Sequence, residues 1–222
     1  MPTALPAVFL GAAALSALLA ILSEERAAGR HPAFYLLKPL TTLLVLGAAA
    51  TATDADPAYR GWICAALLLS MCGDVALMFS GDAAFVTGLG SFLVAHGLFV
   101  WAFWINGGQA MPPMWSAIPI VAAAAFFVWL LPRTGTLRIP VIVYAAALVG
   151  MTLAAAARSE VRADVSGTLA AAGALMFLFS DSALAVRQFN GPYPRAQALI
   201  LSTYWLAIAG VAGSVIGSIR VA

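Results

Sequence analysis

Two aspartates fall inside runs otherwise apolar enough to sit in lipid: Asp74 within LLLSMCGDVALMF (67–79) and Asp181 within ALMFLFSDSALAV (174–186). An ionisable group at the centre of a membrane span costs roughly 2.5 to 3.5 kcal/mol on insertion scales, so such residues face a protein interior and serve a function. Two carboxylates sharing a low-dielectric site cannot both ionise easily, and the pair can hold one proton between them. That suits general acid–base catalysis, in which one carboxyl donates a proton while the other activates water or steadies a cation. It equally suits proton-coupled transport or, with a third donor, metal binding.

Other groups able to take part are few. The only lysine, Lys38, stands in Leu37-Lys38-Pro39-Leu40-Thr41-Thr42. Positions i, i+3 and i+4 share a helix face, so Lys38, Thr41 and Thr42 form one polar stripe, and Ser70 falls on the face of Asp74. Lys38 either snorkels to the headgroups or lines a cavity. His96, in Ala95-His96-Gly97, and the tyrosines Tyr144 and Tyr204 each have a packing role as the plain alternative.

These residues need membrane helices to position them. The chain is 63% hydrophobic and 9% charged, against about a quarter charged in soluble domains. It reads as an integral membrane protein of the all-α class, a single membrane domain over residues 1–222. Apolar segments of about 20 residues fall at 5–22, 34–52, 62–80, 84–106, 115–131, 137–157, 166–188 and 196–219. Eight transmembrane helices follow. The stretch 51–61 reads as a solvated connector, Asp82 as the N-cap of the fourth helix, and the fifth helix as lipid-facing or packing. A net charge of +2 lacks the clustered basic face of a nucleic-acid binder.

Depth organises the polar groups. Measured at 1.5 Å per residue from one membrane face, side B, Lys38 lies about 6 Å in, Asp74 about 9 Å, Asp181 and Tyr144 about 10 Å, Tyr204 about 12 Å and His96 about 18 Å. The opposite, side A halves of the helices carry almost no ionisable groups. A polar cavity open to side B is expected. Gly73-Asp74-Val75-Ala76-Leu77 aligns with Ser180-Asp181-Ser182-Ala183-Leu184, in two helices of the same direction, which suggests two parallel four-helix halves.

Six loop arginines on side B (Arg26, Arg30, Arg133, Arg138, Arg187 and Arg195) face four on side A (Arg60, Arg158, Arg162 and Arg220). The positive-inside rule then puts side B in the cytoplasm and both termini outside. The first apolar run has no basic residue before it, so it reads as a retained helix rather than a cleaved signal. Trp62, Trp101, Trp104 and Trp115 fall at side A ends, as an aromatic belt requires. Gly210, Gly213, Ser214 and Gly217 give the last helix a small-residue face for close packing.

The ordered set Lys38-Pro39-Leu40-Thr41-Thr42, Gly73-Asp74 with Leu77-Met78, His96, Tyr144, and Gly173 to Asp181 leading into Leu184-Ala185 resembles the YhhN family of membrane proteins, to which the animal lysoplasmalogenases belong. The resemblance runs through nearly the whole chain. It implies an eight-helix, cofactor-free membrane hydrolase, in the inner membrane if the source is bacterial. The substrate implied is a lysophospholipid whose vinyl ether bond is cleaved to a fatty aldehyde and a glycerophospho-amine. Vinyl ether hydrolysis needs an acid to protonate the alkene carbon and a group to orient water, roles that fit Asp74 and Asp181. Lys38, Thr42, His96, Tyr144 and Tyr204 would bind substrate or tune the pair, and Arg187 or Arg195 would meet the headgroup phosphate. The competing readings are a proton-coupled transporter using the aspartate pair and a metal-dependent lipid hydrolase with Asp74, Asp181 and His96 as ligands.

Overall fold

The computed structural model describes residues 4–26, 32–107 and 109–218. Arg30, His31 and Arg220 lie outside the described residues. Among the described residues eight α-helices follow one another: α1 (Ala4–Arg26), α2 (Pro32–Ala50), α3 (Pro57–Ala76), α4 (Asp82–Ile105), α5 (Ala117–Leu130), α6 (Arg138–Val161), α7 (Val165–Asn190) and α8 (Ala196–Ile216). Short 3-10 turns flank α5 at Met114–Ser116, Leu131–Arg133 and Gly135–Leu137. The described residues contain no strand. Seven of the eight helices are long and apolar enough to cross a membrane. The exception is α3, whose 20 residues include both Arg60 and Asp74.

That helix also departs from the expected 62–80. Asp56 caps it, its carboxylate accepting the Tyr59 N–H at 2.7 Å, and Pro57 occupies the first turn, where a missing N–H costs nothing. The supposed connector residues 57–61 are therefore helical, and the Arg60 guanidinium donates to the Ala52 carbonyl at 3.0 Å. At the other end the Leu77 N–H turns back to the Gly73 carbonyl at 2.9 Å and the Met78 N–H to the Val75 carbonyl at 3.1 Å. Asp74 thus sits in the last turn of α3 and not mid-helix. Asp82 is likewise not a cap: Gly81, at φ 106°, occupies that position without a side-chain bond, and Asp82 is an acid in the first turn of α4, where the helix dipole favours it.

Glycine permits the closest approaches. A Cβ on Gly173 of α7 would stand 2.8 Å from the Ala207 carbonyl of α8, and one on Gly210 would stand 3.0 Å from the Gly173 Cα. This is the small-residue packing expected of the last helix. Between α3 and α4, a Cβ on Gly73 would lie 2.6 Å from the Phe92 ring. Gly73 therefore lets Phe92 pack beside Asp74. By contrast α5 buries only Leu130, standing off the bundle on one side. Trp62, Trp101, Trp104 and Trp115 are all among the exposed side chains, as a belt needs. At the other end of α5, the Arg133 guanidinium lies 4.2 Å from the Trp129 ring centroid.

One residue corrects the reading of side A. Arg158 is not a loop arginine but lies within α6, with 0% exposure. Its guanidinium donates to Asn106 Oδ1 at 3.1 and 3.0 Å, to the Ser166 carbonyl at 3.0 Å and to the Ser166 hydroxyl at 2.7 Å. The Ser166 hydroxyl donates to the Ser214 carbonyl, and the Tyr59 and Ser214 hydroxyls are 2.6 Å apart. The guanidinium also lies 4.5 Å from the Tyr59 ring centroid. A buried polar knot therefore ties α3, α4, α6, α7 and α8 together at the end opposite the aspartates.

Candidate functional site

Asp74 is 1% exposed and collects partners from two other helices, α2 and α8. From α2, Lys38 Nζ stands 3.3 Å from Oδ1 and the Thr42 hydroxyl donates to Oδ2 at 2.7 Å. From α8, the Tyr204 hydroxyl donates to the same oxygen at 2.7 Å. Lys38 Nζ also donates to the Asp74 main-chain carbonyl at 3.1 Å. That carbonyl belongs to the final turn of α3, where the last four carbonyls lose their helical donors. One ammonium therefore pairs a buried carboxylate and caps a helix end, where positive charge complements the dipole.

The polar stripe expected on α2 divides. Thr42 faces Asp74, whereas the Thr41 hydroxyl lies within hydrogen-bond distance, 2.8 Å in each case, of the Leu37 carbonyl and of the Ser16 hydroxyl of α1. Adjacent residues stand about 100° apart around a helix, so both could not face one group. Ser70 is buried on α3 together with Asp74, as expected, and its hydroxyl donates to the Ala66 carbonyl of its own helix at 2.9 Å.

Asp181 has a different setting. Its side chain is 11% exposed against 2% for Asp74. The Tyr144 hydroxyl of α6 donates to Oδ2 at 2.5 Å. His96 Nε2 of α4 lies 3.9 Å from the same oxygen, beyond hydrogen-bond reach. The His96 ring is fully buried, packed edge-on against Tyr144 and Phe177 with centroids 5.1 and 4.7 Å away. Neither of its nitrogens has a hydrogen-bond partner among the described residues. Buried polar atoms are nearly always paired, so this imidazole is held next to a carboxylate it does not yet touch.

The two carboxylates line one small cavity of about 30 Å³, with Lys38, Ser180, Arg187, Gln197 and Tyr204 among its walls. Arg187 donates to Gln197 Oε1. Arg195 is not among the lining residues; it starts α8 in a left-handed conformation, φ 59°. Gln197 and Ser180 escaped the sequence reading. Gln197 was detectable, since Gln197, Leu201 and Tyr204 fall at i, i+4 and i+7 on one helix face. Ser180 donates to the Ile200 carbonyl at 3.0 Å and so packs α7 on α8. Among the described residues no three His, Cys, Asp or Glu side chains gather closely enough to hold a metal ion.

Asp181 and Tyr144 also edge a much larger cavity of about 360 Å³, whose remaining walls are almost entirely apolar side chains of α4, α5, α6 and α7. Leu77, Phe92, Asp181 and Leu184 are common to both cavities. A polar pocket and an apolar groove therefore meet at Asp181.

Sequence comparison puts relatives beside this geometry. The YhhN family model matches residues 33–215. Lysoplasmalogenase TMEM86B of Sus scrofa is 33% identical over 159 residues, covering 70% of this chain and 64% of that protein. The lysoplasmalogenase of Mycobacterium tuberculosis is 36% identical over 155 residues, 67% of this chain and 58% of that protein. Lysoplasmalogenase TMEM86B of Homo sapiens is 34% identical over 143 residues, 64% and 58% of the two chains. The aligned region thus spans less than two thirds of each of these relatives. No solved structure matches the chain. With its family model covering all the helices that carry Lys38, Asp74, His96, Tyr144, Asp181 and Tyr204, this chain belongs to the YhhN family.

Proposed function

We propose that the protein hydrolyses the vinyl ether bond of lysoplasmalogen-type lysophospholipids, with Asp181 as the proton donor and Asp74 as the fixed anion. The observation that carries this reading is the junction at Asp181, where an apolar groove meets a polar pocket. Such a site suits a single-chain amphiphile, whose reacting bond lies between chain and headgroup. The names of the relatives point to the same substrate class.

The chemistry assigns the roles. In R–CH=CH–O–R′ the proton goes to the alkene carbon nearer the chain, so the acid must face the groove. Asp181 does, and it is the more accessible carboxyl. Transfer of its proton forms the C–H bond and leaves an oxocarbenium ion. The Asp74 carboxylate, ion-paired with Lys38 and bonded by Thr42 and Tyr204, supplies preorganised negative charge for that cation. Water then adds to the carbon bearing oxygen and returns a proton to Asp181. The hemiacetal collapses as its hydroxyl proton moves to the departing ether oxygen, giving R–CH₂–CHO and HO–R′. One water is consumed and both carboxyls are regenerated.

Tyr144 fixes the orientation of the Asp181 carboxyl, and His96 stands beside it with Nε2 3.9 Å from Oδ2. Arg187, held by Gln197 at the polar pocket, is placed to meet a phosphate, for which guanidinium is well matched.

Several features support an arrangement of eight spans in two parallel halves. The buried positions of α3, among them Ile63, Leu67, Ser70 and Asp74, turn its polar residues inward, as a spanning helix requires. The partners of the aspartates are also crossed. Each carboxylate takes a hydroxyl from the helix before its own, Thr42 of α2 or Tyr144 of α6. Each is also approached by a ring from the last helix of the other half, Tyr204 of α8 or His96 of α4. Removing buried Arg158 from the side A count widens the arginine bias toward side B, favouring a cytoplasmic side B.

The test incubates purified protein with a lysoplasmenyl lipid and with its saturated alkyl ether analogue, then repeats with Asp74→Asn and Asp181→Asn. Aldehyde release from the vinyl ether alone, lost in Asp181→Asn and strongly reduced in Asp74→Asn, is expected. No release by the unsubstituted protein would refute the activity. Full release by Asp181→Asn would refute the assignment of the acid.

A further inference from the structure

We infer that the groove walled by α5 is a hydrocarbon-chain site, and that the alanines facing it from α5 and α6 set the chain it accepts. The inference rests on the activity proposed above for the choice of head-bearing ligand, but not for the existence of the groove. The cavity of about 360 Å³ is more than ten times the polar pocket in volume. It follows α7 from Leu178 to Phe189, about 16 Å of helix. Asp181 and Tyr144 are its chief polar groups. Phe92, Leu130, Val141 and Leu148, all nearly buried, belong to its walls.

The shape selects the occupant. Water gains nothing in a site with so few polar partners, whereas an alkyl chain gains the burial of every methylene. A groove continuous with a polar pocket fits one chain attached to one head. The occupant is therefore the chain of the molecule whose headgroup sits at Arg187 and Gln197, with the chain passing Asp181 on its way in. This places the alkene carbon nearest the chain at the carboxyl that must protonate it.

Width along the groove is determined by small residues. Ala123 and Ala124 of α5 and Ala145 and Ala146 of α6 line it. A phenyl ring at position 123 would take the place of several methylenes. Ala122, its neighbour in sequence, is exposed and absent from the lining, so a ring there points elsewhere.

Two measurements on purified full-length protein in detergent test this. The first compares kcat/KM for hexadecenyl and butenyl lysoplasmenyl lipids. Each methylene shut out costs a factor of about four, so Ala123→Phe should lower the long-to-short ratio by about tenfold or more, while Ala122→Phe leaves it unchanged. An unchanged ratio in Ala123→Phe, or an equal change in both variants, overturns the inference. The second measurement does not need turnover. A lysophosphoethanolamine with a saturated ether chain carrying a diazirine should label α5 and α6 along residues 120–130 and 141–149. Unlabelled alkyl lysolipid should suppress the labelling, and Ala123→Phe should weaken it. Labelling confined to other helices, or indifferent to competing lysolipid as a bulk lipid tail would be, overturns the inference. Specific labelling by a protein that cleaves no vinyl ether would keep the groove assignment and remove only the proposed reaction.

Discussion

Replacing Lys38 with methionine tests how the site is held. Lys38 is 5% exposed and Asp74 1%, and their charged atoms stand 3.3 Å apart. Removing one partner of a buried ion pair leaves the other charge without compensation, a loss of about 3 to 5 kcal/mol. The same substitution also deprives the Asp74 main-chain carbonyl of its donor, weakening the last turn of α3. Asp74→Asn has the mirror effect, stranding the ammonium. The double variant Lys38→Met/Asp74→Asn buries neither charge, so its loss should fall short of the sum of the single losses by about 2 kcal/mol or more. Reversible unfolding in detergent micelles, followed by circular dichroism, gives the four free energies. Additivity within about 0.5 kcal/mol would show that the two groups do not interact and would remove Lys38 from the site. Turnover should stay low in the double variant even as its stability recovers, because the anion is absent.

Tyr144→Phe removes the hydroxyl bonded to Asp181; as Asp181 gives up its proton that bond becomes one to a charged group, contributing about 1.5 to 3 kcal/mol, so kcat should fall by about one to two orders of magnitude with KM within a factor of two. A KM change without a kcat change would make Tyr144 a binding residue instead. Thr42→Val should reduce turnover by about tenfold through the lost bond to Asp74, while Thr41→Val, which touches only α1 and its own helix, should leave turnover intact and show only in thermal unfolding. Arg158→Ala opens the buried knot at side A, leaving the Asn106 and Ser166 acceptors without their donor, and should lower stability by about 1 to 3 kcal/mol without changing KM; a large KM increase at unchanged stability would tie that end of the bundle to substrate. Gly73→Ala forces the Phe92 ring away from a Cβ 2.6 Å distant and should cost about 1 to 3 kcal/mol as overpacking, measured by the same unfolding assay.

The aspartates were legible because a carboxylate in an apolar run is costly enough to stand out from any background, and depth along each helix then gathered Lys38, Tyr144 and Tyr204 with them. Rotation around a helix was less legible. Lys38, Thr41 and Thr42 read as one stripe, yet only the direction of the neighbouring helices decides that Thr42 faces Asp74 and Thr41 faces Ser16. Arg158 was misread because its position near a predicted span end fits a loop arginine equally well. Its burial depends on Asn106, Ser166 and Tyr59, which are far from it or from each other in sequence. The groove left no signal at all, since alanines and leucines that line a cavity are spelled the same way as those that meet lipid.

The two carboxylates sit in unlike surroundings because of what the preceding helix brings to each: α2 gives Asp74 both Lys38 and Thr42, whereas α6 gives Asp181 the Tyr144 hydroxyl. Had both aspartates received a lysine from the helix before them, two ion-paired carboxylates would face each other and neither would carry a proton to a substrate. The chain has one lysine, and the α6 residue that bonds Asp181 is a tyrosine, which supplies a hydrogen bond without a compensating charge. In the proposed mechanism, the difference between Lys38 and Tyr144 is what would make one carboxyl a fixed anion and the other a proton carrier. A single-site exchange makes this testable. Tyr144→Lys would give Asp181 an ammonium in place of the phenol, as Asp74 already has, and should abolish proton delivery while the anionic pair remains folded. Retention of vinyl ether cleavage in that variant would show that proton delivery does not depend on the asymmetry between the two carboxylates.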